Sequence, residues 1–118
     1  MIATILILLV ALIHAYFLVL EMFRWETPRT RKVLGTTAEF AAQSRAMAAN
    51  QGLYNGFLAA GLIYGLVLLG RQAATLVGFM LLCVVVAGIY GAMTVTKAAF
   101  VAQTIPAALA VIAIFLNI

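Results

Sequence analysis

The segment Ile2–Phe23 has the sequence IATILILLVALIHAYFLVLEMF and decides the fold. An α-helix needs roughly 20 predominantly apolar residues to cross the hydrocarbon core of a bilayer, which is about 30 Å thick. This segment meets that requirement and carries two ionisable side chains, His14 and Glu21. Hydrocarbon cannot hydrogen-bond either group, so each needs a protein or water partner. The segment therefore predicts a retained first transmembrane helix with these two side chains facing the protein interior.

Composition extends this prediction to the whole chain of 118 residues. Hydrophobic residues make up 67% and charged residues only 8%, and the mean hydropathy is +1.21. Soluble domains carry about 25% charged residues, so a soluble domain is excluded. Three further runs are long and apolar enough to cross. We predict an all-α fold, a four-transmembrane-helix bundle forming a single integral membrane domain over residues 1–118, with spans at about 2–23, 47–69, 73–95 and 98–117.

The basic residues predict the orientation of these spans. Six of them lie on one side, flanking the first or the third connection: Arg24, Arg29, Arg31, Lys32, Arg45 and Lys97. Arg71 alone lies on the other side. Basic loops stay in the cytoplasm, so both termini are expected on the outer side, with a long basic cytoplasmic loop between helices one and two. This asymmetry, with contact to anionic lipids, explains the net charge of +4 without a nucleic-acid partner.

The first loop carries signals of local order. Thr27-Pro28 suits an N-cap followed by proline at the first helical position, and Gly35 suits a helix stop. Thr36-Thr37-Ala38-Glu39 has the spacing of a capping box. Helix two is therefore expected to begin near Ala38, before the bilayer.

Polar residues from all four helices fall in the cytoplasmic half of the predicted spans. If helix one is centred near Leu12, Glu21 lies roughly 13 Å inward at 1.5 Å per residue, and His14 lies near the midplane. The same arithmetic places the amides of helix two on that side. We predict a polar intramembrane cavity whose candidate ligand-binding residues are Glu21, His14, Asn50, Gln51, Tyr54, Asn55, Tyr90 and Gln103. If a reaction occurs there, Glu21 and His14 are the catalytic candidates.

Each polar feature also has a structural interpretation. The amides can act as interhelical hydrogen-bonding groups, Glu21 can be solvated or paired with Arg24, and a neutral His14 can share a hydrogen bond. Gly52 and Gly56 form a small-xxx-small pattern that is typical of closely packed helices. Pro106 cannot donate to the carbonyl of Ala102 and so interrupts the helix-four ladder.

No cofactor or metal site is predicted. The chain has one histidine, and its carboxylates do not converge at any metal-ligand spacing. Its single cysteine, Cys83, lies in an apolar run, cannot form an internal disulfide, and is interpreted as a small packing residue.

Five groups of residues carry a resemblance that spans essentially the whole chain: His14 to Trp25, Thr27-Pro28-Arg29, Ala49-Asn50-Gln51-Gly52-Leu53-Tyr54-Asn55-Gly56, Ala87-Gly88-Ile89-Tyr90-Gly91, and Gln103 with Pro106. In these residues the chain resembles a small bacterial membrane-protein family known as domain of unknown function 1304. The family has no agreed activity. The resemblance implies four spans and a multi-pass location in the bacterial cytoplasmic (inner) membrane, and it implies no reaction.

The architecture is also similar to that of the membrane-associated eicosanoid and glutathione metabolism family, which has four spans and a basic cytoplasmic first loop. Arg45, Asn50 and Tyr54 resemble part of its second-helix block. The spacing from Arg45 to Asn50 is one residue longer, and Leu53 stands where that family has an acidic residue. This likeness implies a trimer with polar sites between subunits.

Three functional classes follow from these expectations. The first is binding of a small amphipathic or lipid-like molecule in the polar cavity, with or without a reaction. The second is proton-linked transport of a small molecule, for which Glu21 lies closer to the membrane edge than expected. The third is a structural or assembly subunit, which leaves His14 unexplained. In each case we expect membrane lipids as partners and a homo-oligomer, dimer or trimer, because four short helices bury little interior.

Overall fold

The structure is a computed structural model that describes residues 1–68 and 71–118. These residues form helices, with no strand among them. The helices are α1 (Ile2–Phe23), α2 (Pro28–Leu34), α3 (Ala38–Val67), α4 (Arg71–Thr94), a π-helical turn (Phe100–Thr104) and α5 (Ile105–Phe115). The all-α class is confirmed. The sequence also predicts a tight outer turn at Leu69-Gly70-Arg71-Gln72; Leu69 and Gly70 lie outside the described residues, and Arg71 begins α4.

Local sequence signals account for α2. The Thr27 hydroxyl accepts a hydrogen bond from the backbone N–H of Thr30 at 3.4 Å, and Pro28 follows as the first helical residue. Gly35 ends the helix in the left-handed region at φ 67°, where its N–H donates to the carbonyl of Arg31. Glycine adopts this conformation without steric cost. The predicted cap and stop of the first loop are therefore confirmed.

The start of α3 agrees with the prediction, but its capping residue differs. The hydroxyl of Thr37, not of Thr36, accepts the backbone N–H of Phe40 at 3.1 Å. Glu39 accepts a hydrogen bond from the side chain of Gln43 at 3.3 Å and so acts within α3. The two adjacent threonines made the sequence ambiguous by one residue, and the backbone path selected the second.

Pro106 is preceded by the π-helical turn at Phe100–Thr104. The backbone N–H of Ile105 donates to the carbonyl of Phe100, five residues back. The helical turn just before the proline therefore contains one residue more than an α-helical turn. Thr104 is buried here, and its hydroxyl donates to the carbonyl of Val85 at 3.4 Å. A Cβ added at Gly88 would lie only 2.9 Å from the backbone nitrogen of Thr104. Glycine at this position therefore permits close packing of α4 on the turn.

The described residues form two compact units. The first, here called the core unit, consists of Met1–Ile13 with Leu58–Ile118, and the second, the loop unit, consists of His14–Phe57. The core unit packs an apolar cluster whose fully buried side chains include Val10, Leu62, Leu81, Val84 and Ala110. The loop unit buries Leu20, Thr30, Ala41 and Ala48, with His14.

Two of the described helical segments, Ile2–Phe23 and Gln72–Thr94, are long and apolar enough to cross a membrane. Phe100–Phe115 is also apolar but is shorter. Helix α3 has 30 residues, but its amide side chains lower its hydropathy, and it is not one of these two segments. The predicted first span coincides with α1, and those at 47–69, 73–95 and 98–117 fall on α3, on α4, and on the π turn with α5.

Candidate functional site

The candidate site lies in the loop unit, where two glycines of α3 face the last two turns of α1. A Cβ added at Gly52 would lie 2.7 Å from Met22 Cγ and 3.2 Å from the backbone nitrogen of Met22. One added at Gly56 would collide with the side chain of Leu18. The predicted small-xxx-small pattern is therefore used for close packing within one chain. The absence of side chains at these positions lets α3 approach α1.

This close approach brings Asn55 to Glu21. The Asn55 amide donates from Nδ2 to Glu21 Oε2 at 2.7 Å, at the short end of the range for such hydrogen bonds. A second, longer donation at 3.3 Å from the same nitrogen reaches the carbonyl of Gln51. Both Nδ2 hydrogens are then engaged, which orients the amide and leaves Glu21 Oε1 able to accept from another donor. The sequence interpretations of Glu21 were solvation or pairing with Arg24, and the structure shows a third arrangement, a hydrogen bond from an amide of α3.

A cleft of about 410 Å³ lies beside this pair. Glu21 and the residues that follow it to Thr27 line one side of the cleft, and Arg45 and Ala49 of α3 line the other. The lining combines two carboxylates with two guanidinium groups and the apolar side chains of Met22 and Phe23. A cleft with this mixture offers charged groups to a polar head and apolar surface to a tail.

Two contacts hold the chain around the cleft in place. The indole Nε1 of Trp25 donates to Ser44 Oγ at 3.1 Å, and Ser44 Oγ donates to the carbonyl of Phe40 at 2.6 Å. Glu26 Oε2 lies 3.5 Å from Arg45 Nε in an exposed ion pair. Exposed pairs contribute little stability, so the Trp25 hydrogen bond is the more important of the two for positioning the loop.

The remaining predicted residues of the loop unit are placed differently. His14 is 1% exposed and is engaged in an interaction within the fold. Asn50, Gln51 and Tyr54 are exposed, and the Tyr54 ring makes an edge contact with Phe57, with ring centroids 5.9 Å apart. The structure thus brings Asn55 to Glu21, and it leaves the other amides of α3 and Tyr54 on the surface of the chain.

Tyr90 and Gln103 belong to the core unit. Tyr90 is 68% exposed, and its backbone carbonyl accepts a hydrogen bond from the Thr94 hydroxyl at 2.7 Å. Gln103 is half-buried in the π-helical turn, where a Cβ at Gly88 would lie 3.1 Å from Gln103 Cβ. The contacts described for these two residues lie within their own unit.

No group of three or more histidine, cysteine or acidic residues that could hold a metal ion occurs among residues 1–68 and 71–118. Cys83 is a half-buried free thiol. Neither observation adds a residue to the candidate site.

The sequence does not predict two of the contacts beside the cleft. Arg45 is one of the basic residues that predict the orientation, but the sequence predicts neither the Trp25–Ser44 hydrogen bond nor the Glu26–Arg45 pair. These partners are 19 residues apart in each case, and no helical spacing connects them. The sequence offers one indirect indication of these contacts. Two helix caps and a glycine stop predict an ordered first loop that could bring distant residues together.

The fold and site define a small, strongly apolar, all-helical protein with an amide–carboxylate pair beside a cleft of mixed charge. The chain matches the family described as "Protein of unknown function (DUF1304)" over residues 8–115 and belongs to that family. It is 34% identical over 113 residues to a protein named "Uncharacterized protein YpaA" from Lactococcus lactis subsp. lactis (strain IL1403), an alignment that covers 94% of each chain. No solved structure matches the chain significantly.

Proposed function

We propose that the protein is a multi-pass protein of the bacterial inner membrane, with residues 1–118 forming one domain of four spans and both termini outside. The apolar length of α1 and α4 supports this proposal. So does the surface of the core unit, where Leu12, Phe79 and Ile112 are each more than half exposed. Soluble monomers rarely expose apolar surface on this scale, whereas side chains that face lipid do so at no cost.

Helix α3 and the segment formed by the π turn and α5 supply the other two spans. The 30 residues of α3 extend about 45 Å at 1.5 Å per residue, enough to cross the bilayer and continue into the cytoplasm. The hydrogen bond from Asn55 to Glu21 satisfies two of the most polar groups on α1 and α3. Pairing of this kind is what a bilayer requires of polar side chains at membrane depth.

The protein's proposed activity is to bind a small amphipathic molecule in the cleft, with its polar head at Glu21 and its apolar part along Met22 and Phe23. The observation that carries this proposal is the 2.7 Å hydrogen bond from Asn55 to Glu21 at the cleft wall. Asn55 holds one carboxylate oxygen, so the second is preorganised to accept a donor from a ligand. A head group with an amine or hydroxyl donor fits this acceptor best.

Native mass spectrometry of the protein, purified in a mild detergent, tests this proposal. We expect one co-purified small molecule per site. Glu21→Gln and Asn55→Leu should each abolish its retention, because the first removes the charge and the second releases the carboxylate. Glu39→Gln is the matched control: it makes the same chemical change at an exposed position in the first turn of α3, and retention should be unchanged.

Two results would contradict the proposal. One is the absence of any bound small molecule in wild-type protein extracted gently and directly from membranes. The other is equal loss of retention in Glu39→Gln and Glu21→Gln, which would make bulk charge, not the cleft, responsible.

We also propose a homo-oligomer, a dimer or trimer. Asn50 and Gln51 are exposed on the surface of one chain, and unsatisfied amides at membrane depth are costly. A second copy that packs on this face of α3 would satisfy them. Gly52 and Gly56 are already used by α1 within the chain, so they are not the subunit contact. Cross-linking in membranes should therefore be lost in Gln51→Leu.

A further inference from the structure

A second cavity in the loop unit lies beside the cleft at Glu21 and shares Arg24 and Thr27 with it. This groove, of about 240 Å³, lies between α1 and α2, and we call it the α1–α2 groove. Its apolar lining includes Tyr16, Val19 and Val33, all of which are exposed. Its charged lining consists of Arg24 and Arg29. Glu21 does not line it, and Arg29 does not line the cleft.

The charges of the groove all have one sign. Arg24 and Arg29 are exposed, and neither is paired with a carboxylate among the residues that the structure describes. By contrast, Arg45 in the cleft is paired with Glu26. Two unpaired guanidinium groups at one groove are complementary to a phosphate, to which arginine binds with charge-assisted and often bidentate hydrogen bonds.

Along α1, the lining of the groove changes from apolar to basic. A phospholipid in one leaflet changes in the same order, from acyl chain to head group. Tyr16 and Leu20 are four residues apart and so lie on one face of α1. Arg24, just past the end of the helix, continues this face, since its backbone N–H donates to the carbonyl of Leu20. From Tyr16 to Arg24 this face runs about 12 Å at 1.5 Å per residue. Its apolar end lies toward the predicted bilayer midplane, and its basic end lies at the cytoplasmic boundary. An acyl chain matches the first part and a phosphate head group the second.

We propose that the α1–α2 groove is a binding site for one anionic glycerophospholipid of the inner leaflet, with its phosphate at Arg24 and Arg29 and an acyl chain along Tyr16 and Val19. This site shares the membrane location of the proposed function and, of the cleft's lining, Arg24 and Thr27, but it takes a different ligand. General attraction of basic loops to anionic membranes requires no groove. A specific binding site requires Arg24 and Arg29 in particular. Substitution of these two residues therefore distinguishes the site from general attraction.

The test uses purified protein in a non-ionic detergent, titrated with phosphatidylglycerol or phosphatidylcholine and followed by native mass spectrometry. A third titration uses glycerol phosphate, which carries the phosphate without acyl chains. We expect one phosphatidylglycerol adduct, bound at least about fivefold more tightly than phosphatidylcholine, since each basic residue near a lipid surface contributes about a fivefold factor. Glycerol phosphate should not bind detectably.

Arg29→Gln should lower phosphatidylglycerol binding about fivefold and leave phosphatidylcholine binding unchanged. Lys32→Gln is the matched control, because it removes one exposed positive charge from the same helix at a position outside the groove, and it should bind as wild type. Arg24→Gln is the second variant and should reduce binding as Arg29→Gln does.

Three outcomes would overturn the proposal: equal losses in Lys32→Gln and Arg29→Gln, which indicate diffuse charge; no loss in Arg29→Gln or Arg24→Gln; or binding of glycerol phosphate as tight as that of the lipid, which indicates a site for free phosphate. The proposed function stands or falls separately. Glu21→Gln should leave phosphatidylglycerol binding intact, and Arg29→Gln should leave the molecule held at Glu21 and Asn55 in place.

Discussion

At the scale of single residues, the hydrogen bond from Asn55 to Glu21 joins α3 to α1 in the loop unit. The carboxylate is half-buried and accepts a short hydrogen bond from the amide. A buried acceptor that loses its donor incurs a desolvation cost, whereas replacing both partners with apolar groups costs much less. The two side chains should therefore be energetically coupled.

A double-mutant cycle measures this coupling. We expect Glu21→Leu, Asn55→Leu and the double variant to give an interaction free energy of about 0.6–1.7 kcal/mol, the range typical of side-chain hydrogen bonds between membrane helices. The measurement is the free energy of unfolding in mixed micelles. The control cycle combines Glu21→Leu with Gln43→Leu, an exposed amide whose partner is Glu39. Additivity within about 0.5 kcal/mol in the Asn55 cycle would show that the hydrogen bond does not form.

At the scale of helices, two glycines in helix interiors differ in what surrounds them. A Cβ at Gly52 would lie 2.7 Å from Met22 Cγ and 3.2 Å from the Met22 backbone nitrogen, while a Cβ at Gly78 in α4 would meet nothing within 4 Å. Gly52 therefore sets the approach of α3 to α1, and Gly78 sets no contact.

Substitution by alanine separates these roles. Alanine is favoured over glycine in a helix by about 1 kcal/mol, so Gly78→Ala should raise the free energy of unfolding by up to that amount. Gly52→Ala should lower it by about 1–3 kcal/mol, because overpacking against a backbone atom forces the helices apart. Thermal and denaturant unfolding in the same micelles compares the two variants. Equal stabilisation by both would contradict the close approach at Gly52.

At the scale of the whole molecule, the orientation of the chain in the membrane is the property from which the depth of each polar group follows. The six basic residues on one side predict that the first loop is cytoplasmic and that both termini are outside. The proposed lipid groove and the cleft both depend on that orientation, since both lie at the C-terminal end of α1, which the proposed topology places on the cytoplasmic side.

Cysteine labelling tests the orientation. In a Cys83→Ala background, which removes the only native thiol, a single cysteine is introduced at Ala38 or at Ile118, both exposed. In intact cells, a membrane-impermeant maleimide should label Ile118→Cys, and it should label Ala38→Cys only after permeabilisation. The Cys83→Ala protein without a new cysteine is the blank. The reverse pattern of labelling would invert the proposed topology.

Much of the secondary structure follows from the sequence because its causes are local. The apolar run Ile2–Phe23 coincides with α1, Thr27-Pro28 and Gly35 bound α2, and α3 begins at Ala38 as expected. Pro106 indicated an interrupted helix four, but not the π-helical turn that precedes it. The capping residue of α3 is Thr37 and not Thr36. Where two capping side chains are adjacent, the sequence locates the start of a helix only to within about one residue.

The sequence by itself determined the helical class, the positions of the helices and the set of polar groups that need partners. These properties depend on composition and on spacings of a few residues, which a helix converts directly into geometry. Only the tertiary structure decided that Asn55 meets Glu21, that Asn50 and Gln51 remain exposed, and that Trp25 bonds Ser44. Those outcomes depend on how far each helix is rotated and how closely two helices approach, and both are set by contacts such as Met22 on Gly52 between residues distant in the chain.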